Sequence, residues 1–421
     1  MNIVIFIGYL DAKLNANTKI AVNIGRSLAK LGHNITIAGF SRVKHIQGPT
    51  IENTDIDNLK IAHITESAFI RKQRSRADMF KDNLISKKGL TVKQANIRYA
   101  FSHPFSTAVI AFGASPLYSK DVAEFSADFL AEYCDKNKTD CIIAVTDPFF
   151  TVNAVFRDKV KVPKKVIYQL DPYGLHELHK FEENEPEYFK KADIILTTEI
   201  LKDEYAFHKD YSSFTDKIYG IPFPSFVKSA VTQKSDFLNK EKLNIVYCGF
   251  LNDGYRNPQK ALSLFIEAAK INPNINIHFF GYNRSSICKE YQKQYPENVF
   301  IHNQVDSSVI PSILNDANIL LNIGNNLKLQ LPSKIFEYFA TGKPIVHLET
   351  TYECNCRKYI QDYPLSYIIS NNDDDKNADK LYDFITLNRN NRVDISVLDK
   401  QYHSYTPDAV ALKIHNIISK C

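Results

Sequence analysis

The chain has 421 residues, 44% of them hydrophobic and 24% charged, a balance that excludes a disordered, collagen-like or coiled-coil protein and a length that implies two or three domains. Its net charge of +5, from 52 basic and 47 acidic residues, is too mild to imply nucleic acid as a partner. No apolar run approaches the ~20 residues of a spanning helix, and Met1 to Ile7 reads as a strand and not as a signal peptide, so the expected location is the cytosol.

The chain opens with an apolar run, Ile3 to Ile7, followed by a polar loop to Asn17. An amphipathic helix then runs from Thr18 to Leu31, with Ile20, Ile24, Leu28 and Leu31 at helical spacing and Gly32 as its stop. A second strand, Asn34 to Ala38, completes a parallel βαβ unit whose uninterrupted apolar strands imply a sheet covered on both faces. Between Phe69 and Arg98 nine Lys and Arg face only Asp78 and Asp82. Further buried strands are expected at Cys141 to Val145, Lys165 to Leu170 and Asp193 to Thr197, each followed by an acidic residue. Residues 222–242, with two prolines, several serines and lysines and few apolar side chains, read as a linker.

The alternation then resumes. Strands are expected at Asn244 to Gly249, Ile275 to Gly281, Val299 to His302, Ile319 to Ile323 and Pro344 to His347. Helices fall at Pro258 to Ile271, Ser307 to Asn315 and Ser333 to Thr341. The last segment, from Thr406 with Pro407 in its first turn, predicts a helix with Val410, Ile414 and Ile417 on its apolar face. The predicted fold class is therefore α/β: two Rossmann-like, doubly wound parallel-sheet domains, 1–225 and 242–405, with the terminal helix 406–421 docking back on the first.

Several chemistries are excluded by pattern. Gly8 is followed by no glycine until Gly25, so the dinucleotide fingerprint G-x-G-x-x-G is missing, and Gly342-Lys343 continues into Pro344 instead of the Ser or Thr of a P-loop. Asp55-Ile-Asp57 matches a D-x-D metal pattern but sits in a polar stretch and reads as a solvated loop. The seven cysteines suggest no disulfide framework. Cys354 and Cys356 form a C-x-C pair without a second Cys/His pair at zinc spacing, so no metal site is expected there.

The informative segment is Gln330 to Val346, QLPSKIFEYFATGKPIV. A helix beginning at Pro332 and Ser333, straight after a strand and loop, aims its unpaired N–H groups at the crevice beyond the strand ends, where an anion is stabilised. Ile335, Phe336, Phe339 and Ala340 form its buried face. Lys334 and Glu337 lie one turn apart on another stripe, suited to a ligand carrying both phosphate and vicinal hydroxyls.

This segment resembles the donor-binding motif of GT-B-fold glycosyltransferases that build bacterial capsule and lipopolysaccharide-type polysaccharides. The resemblance extends to Leu31-Gly-His33 before the second strand, to the strand ending in Gly249, to Tyr255-Arg-Asn-Pro258 and to the C-terminal crossover helix. It implies a nucleoside-diphosphate sugar bound by the C-terminal domain, a glycan or lipid-linked glycan acceptor bound by the N-terminal one, a cleft between them and no metal or other cofactor. Carried over residue by residue, it assigns Glu337 to the ribose hydroxyls, and Lys334, Ser333 and Arg256 to the diphosphate. Gly249 and Gly281 mark close backbone approach, Asn303 to Val305 the base, and Gly324 and Asn325 the sugar-diphosphate side.

Two positions depart from that pattern: Phe250 replaces an arginine and Leu329 a glutamate, so the stereochemical course is left open. An inverting reaction needs an N-terminal-domain base, for which Asp147 and Asp171, each between a strand and a proline, are the candidates, with Asp11 a third. The same residues admit a sugar-nucleotide epimerase of this fold or a non-catalytic sugar-nucleotide-binding subunit. The basic stretch 69–98 reads as a solvated helix pair or as a patch facing anionic lipid at the inner face of the cytoplasmic membrane.

Overall fold

The computed structural model describes residues 1–10, 16–41, 50–65, 68–88, 90, 92–112, 116–146, 149–173, 175, 185–229, 231, 235–302, 304–351, 354–370 and 378–420. They form two compact units, residues 1–222 with 410–421, and residues 223–409.

The first unit is built on strands β1 (Asn2–Tyr9), β2 (Asn34–Ser41), β3 (Thr50–Asn53), β4 (Leu59–Thr65), β5 (Cys141–Val145), β6 (Lys164–Gln169), β7 (Ile194–Thr198) and β8 (Ile218–Ile221), in the order β3-β4-β2-β1-β5-β6-β7-β8. All pairs are parallel except β3 with β4. Ile3 to Ile7 are buried without interruption, as a strand covered on both faces requires. The first helix spans Ala16–Lys30 and buries Ile20, Ile24 and Leu28. Gly32 adopts φ +87°, the left-handed conformation that ends a helix at low cost, and its N–H bonds to the Ala29 carbonyl at 2.9 Å. Leu31, expected on the apolar face, lies beyond the last turn and is exposed.

Between β4 and β5 the chain forms helices Ala68–Lys88, Val92–Ser102, Pro104–Phe112 and Pro116–Lys136. The first two contain the basic stretch; Lys72, Arg76, Lys88 and Arg98 are exposed. Asp55 and Asp57 are exposed near the turn between β3 and β4, and Asp57 lines a cavity of about 470 Å³ with Asn2, Asn34 and Asn137 at the amino-terminal edge of the sheet.

The terminal helix, Pro407–Lys420, starts where predicted: Thr406 Oγ1 accepts the Ala409 N–H at 3.2 Å. Val410, Ile414 and Ile418 are fully buried, Ile418 taking the place expected of Ile417. Its His415 Nδ1 lies 2.8 Å from His33 Nε2, and Lys164 donates to the Ile418 carbonyl.

The second unit contains β9 (Leu243–Cys248), β10 (Ile275–Phe280), β11 (Val299–Ile301), β12 (Ile319–Ile323), β13 (Ile345–Leu348) and β14 (Ser366–Ile369), all parallel, in the order β11-β10-β9-β12-β13-β14. β14 has no counterpart in the sequence reading because only Ile369 in it is buried, so it presents no apolar run. Part of the segment read as a linker instead packs on this unit. Phe223, Phe226 and Leu238 are buried, Phe226 donates its N–H to the Tyr405 carbonyl at 3.0 Å, and the Phe223 ring stacks over Phe336 with centroids 6.4 Å apart. Three apolar anchors outweigh its polar composition.

Candidate functional site

In the second sheet β9 is the first strand in the chain, β10 and β11 extend the sheet to one side, and β12 to β14 to the other. The carboxyl ends of β9 and β12 therefore flank a topological switch point, where open parallel sheets bind ligands. Gly249 follows β9, Gly281 follows β10, Val305 lies beyond β11, and Gly324 and Asn325 follow β12. The fold thus gathers along one sheet edge residues up to 76 positions apart in numbering from Gly249 to Asn325.

The two glycines next to the switch point share one space. Gly281 has φ +115°, and a Cβ there would lie 2.5 Å from the Gly249 carbonyl oxygen, so any side chain would drive the two backbones apart. Beyond Gly249 the loop is held by its own polar groups. Asn252 O accepts the N–H groups of Tyr255 at 3.0 Å and Arg256 at 2.7 Å. The Arg256 guanidinium donates to Phe250 O at 3.1 Å, beside the Tyr247 hydroxyl, which donates to the same oxygen at 2.8 Å. The Asp253 carboxylate accepts from the Ser286 N–H at 2.9 Å and hydroxyl at 2.8 Å; burial opposes its charge, but hydrogen bonds from Ser285, Ser286 and Ile287 hold it below the usual carboxylate range. Across the switch point Asn326 donates its backbone N–H to Tyr255 O at 3.0 Å and its side-chain amide to Gly254 O at 2.6 Å, tying the loops after β9 and β12 together.

The helix after β12 runs from Lys334 to Phe339, shorter at both ends than predicted. Its first-turn donors do not all face outward: Ile335 N–H turns back to Pro332 O at 3.4 Å and Phe336 N–H to Ser333 O at 3.3 Å, and Ser333 provides no side-chain cap. The helix end therefore leaves fewer backbone donors free than the sequence pattern implied. Lys334 Nζ lies 2.9 Å from Glu337 Oε2, both side chains being about one-third exposed at 32% and 28%. Burial works to lower the Lys334 ammonium, but the Glu337 charge and hydrogen bond outweigh it and raise it above its ordinary value. The apolar face consists of Ile335, Phe336 and Phe339, as predicted, and of Tyr338, with Ala340 only half-buried. Tyr338 ties the helix to β9: its hydroxyl oxygen accepts the Cys248 N–H at 2.9 Å. An alternation argument misses this because a tyrosine in an aromatic-rich helix reads as core.

The remaining candidates fare differently. Asn325 is buried and its side chain engages Gln330 at 3.1 Å within its own loop. Val305 is half-buried. Asp171 is half-buried after β6, at the carboxyl edge of the first sheet. Asp147, Asp11 and Asn303 lie outside the described residues.

The C-x-C pair has a partner that sequence spacing did not reveal. His347, on β13, is fully buried, and its ring nitrogen, Cys354 Sγ and Cys356 Sγ all lie within 4.8 Å of one another. The signal was a histidine seven residues before Cys354, hidden by its position at the end of an apolar strand. A Cβ on Gly324, just after β12, would stand 3.0 Å from Cys354 Sγ, which places this cluster beside the switch point.

Two Rossmann-like units in tandem, the second with its glycine-edged switch point, define the GT-B fold, the class that includes many sugar-nucleotide-dependent glycosyltransferases. Solved structures agree over the whole chain. Sucrose-phosphate synthase from Thermosynechococcus elongatus superposes with a TM-score of 0.60 at 10% identity, covering 100% of this chain and 98% of that one. A glycosyltransferase from Rickettsia africae gives 0.57 at 12% identity, covering 100% and 98%. A UDP-GlcNAc 2-epimerase from Neisseria meningitidis, bound to UDP-GlcNAc, gives 0.55 at 11% identity, covering 100% of both chains. At these identities the likeness establishes the fold. No family model matches the sequence, and no curated protein matches it.

Proposed function

We propose that the chain is a glycosyltransferase that moves a sugar from a nucleoside-diphosphate donor to a hydroxyl of a glycan or lipid-linked glycan acceptor in cell-surface polysaccharide synthesis. The observation that carries this reading is the Lys334–Glu337 pair at 2.9 Å on the helix entering from the switch point, in the unit that also presents Gly249 and Arg256. A bound donor would exchange the internal ion pair for two contacts, diphosphate oxygen to Lys334 and ribose diol to Glu337. Arg256, set on the loop after β9, would stabilise the charge that builds on the departing nucleoside diphosphate, a role for a fixed cation that needs no divalent metal. The first unit would supply the acceptor site, with Asp171 or Asp147 as the group that takes the acceptor proton.

A thermal-shift screen over sugar nucleotides and free nucleoside diphosphates tests the donor site, since a ligand at 100 times its dissociation constant adds about 2.7 kcal/mol of stability. Failure of every nucleotide to shift the transition would overturn the reading. The second reading, a sugar-nucleotide epimerase, is favoured by the epimerase among the structural neighbours. The two differ in product: transfer or slow hydrolysis releases nucleoside diphosphate, and does so without added Mg²⁺ or Mn²⁺, whereas epimerisation returns an isomeric sugar nucleotide with its diphosphate still attached.

Membrane association is part of the proposal. Helix Val92–Ser102 presents Ile97, Arg98 and Phe101 along one exposed stripe, with Phe101 85% exposed, and Phe105 follows at 69%. Large exposed apolar side chains, with the exposed cations Lys72, Arg76 and Lys88 on the preceding helix, suit a surface with anionic headgroups above an apolar layer.

A further inference from the structure

We propose that His347, Cys354 and Cys356 form a site for one soft metal ion of the zinc type, which ties the loop after β13 back to that strand, beside the carboxyl end of β12. Four observations carry it. First, the three side chains converge from a strand and the loop beyond it. Their ligand atoms lie within 4.8 Å of one another, and His347 Nε2 is 3.3 Å from Cys354 Sγ. Tetrahedral ligands around zinc stand roughly 3.5–4 Å apart, so the cluster needs to draw in by only about 1 Å.

Second, the imidazole already has an outer partner. Asn322 on β12 is the register partner of His347 on β13, and its amide nitrogen lies 2.8 Å from His347 Nδ1. Turning that amide by 180° on metal binding brings its oxygen to Nδ1, so that Nδ1 keeps the proton and Nε2 presents its lone pair to the metal, the arrangement in which ligating histidines are held. Third, the neighbouring chain leaves room for sulfur: a Cβ on Gly324 would stand 3.0 Å from Cys354 Sγ. Fourth, among the described residues Thr350 Oγ1 is buried without a hydrogen bond, 3.3 Å from that same Gly324 Cβ position, a polar atom that a metal-bound water could reach.

The donor set decides the metal class. Two thiolates and an imidazole prefer zinc-like or softer ions over Mg²⁺ and Mn²⁺, which seek oxygen, so this site is distinct from a diphosphate-bridging metal. Charge also balances. Each cysteine releases one proton to solvent on ligation, and a divalent ion with two thiolates and a neutral imidazole is uncharged overall, as a buried site favours.

The test uses the full chain, reduced, stripped of metal and titrated with Co²⁺ alone. The expected result is uptake of one equivalent with a thiolate-to-cobalt charge-transfer band, release of about two protons per ion, and bleaching of the band by Zn²⁺. The band should vanish in Cys354→Ser and Cys356→Ser, weaken in His347→Gln, and persist in Cys288→Ser, a buried thiol remote in sequence. Proton release is measured on the unaltered chain, so the proposal stays testable if a variant misfolds. Absence of the band, or its survival in the Cys354→Ser/Cys356→Ser double variant, would overturn it. None of these readouts depends on transfer activity.

Discussion

Glu337 and Lys343 show how the same chain places charge for opposite ends. Glu337 remains partly accessible with its partner Lys334, a pair that a ligand can open. Glu337→Ala removes a charge-assisted acceptor and should weaken donor binding by about 1.5–3 kcal/mol; calorimetric titration with the donor found in the screen checks this, and unchanged affinity would remove Glu337 from the site. Lys343, six residues on, is 6% exposed and donates to the Ala317 carbonyl. Burial, aided by the Arg392 charge, pulls its ammonium from 10.5 down to about 7. Between those values the unfolded chain binds a proton that the folded one does not, so this group makes stability rise with pH, by at most about 1.4 kcal/mol per unit. Urea unfolding of the native chain and of Lys343→Met at pH 7 to 10 should give a difference that shrinks in that sense. The sequence showed Glu337 as part of a helix motif, but offered no hint that Lys343 is buried, because a lysine after glycine and before proline reads as a solvated turn.

At the scale of elements, short helices depend on what they touch. The six-residue helix Lys334–Phe339 is too short to be stable alone. It is held by the stacking of Phe336 on Tyr405 at 4.7 Å and of Phe339 on Tyr402 at 4.5 Å, and by the bond from Cys248 N–H to Tyr338. Tyr338→Phe leaves that buried N–H without its partner and should cost about 1–3 kcal/mol in chemical denaturation; a smaller effect would mean that another group takes the bond. The terminal helix is the longer-range case. Ile414 is fully buried in the first unit, so Ile414→Ala should cost about 2–5 kcal/mol, seen as a lowered urea midpoint, whereas Leu412→Ala on the exposed side of the same helix should change little. The cap at Thr406 and the apolar spacing were legible in the sequence; the meeting of His415 with His33 at 2.8 Å was not, since nothing local encodes a contact across so much chain.

Over the whole molecule, the basic stretch becomes meaningful only with the helices around it. Sedimentation with vesicles containing anionic lipid should pull down the native chain at low salt. Phe101→Ser/Phe105→Ser should reduce binding, and loss of anionic lipid should abolish it; a protein that stays in the supernatant throughout would refute membrane association. By itself the sequence determined the α/β alternation, the burial of strands on both faces, the helix that carries Lys334 and Glu337, and the cap of the last helix. Each of these is set by side-chain periodicity and turn chemistry within a dozen or so residues. Only the tertiary structure decided which strand ends meet at the switch point, that Gly281 lies against Gly249, that residues near Phe223 pack on the second unit, and that His347 faces Cys354 and Cys356. Those are matters of strand order and register, which arise from pairing between distant segments and leave no local pattern to read.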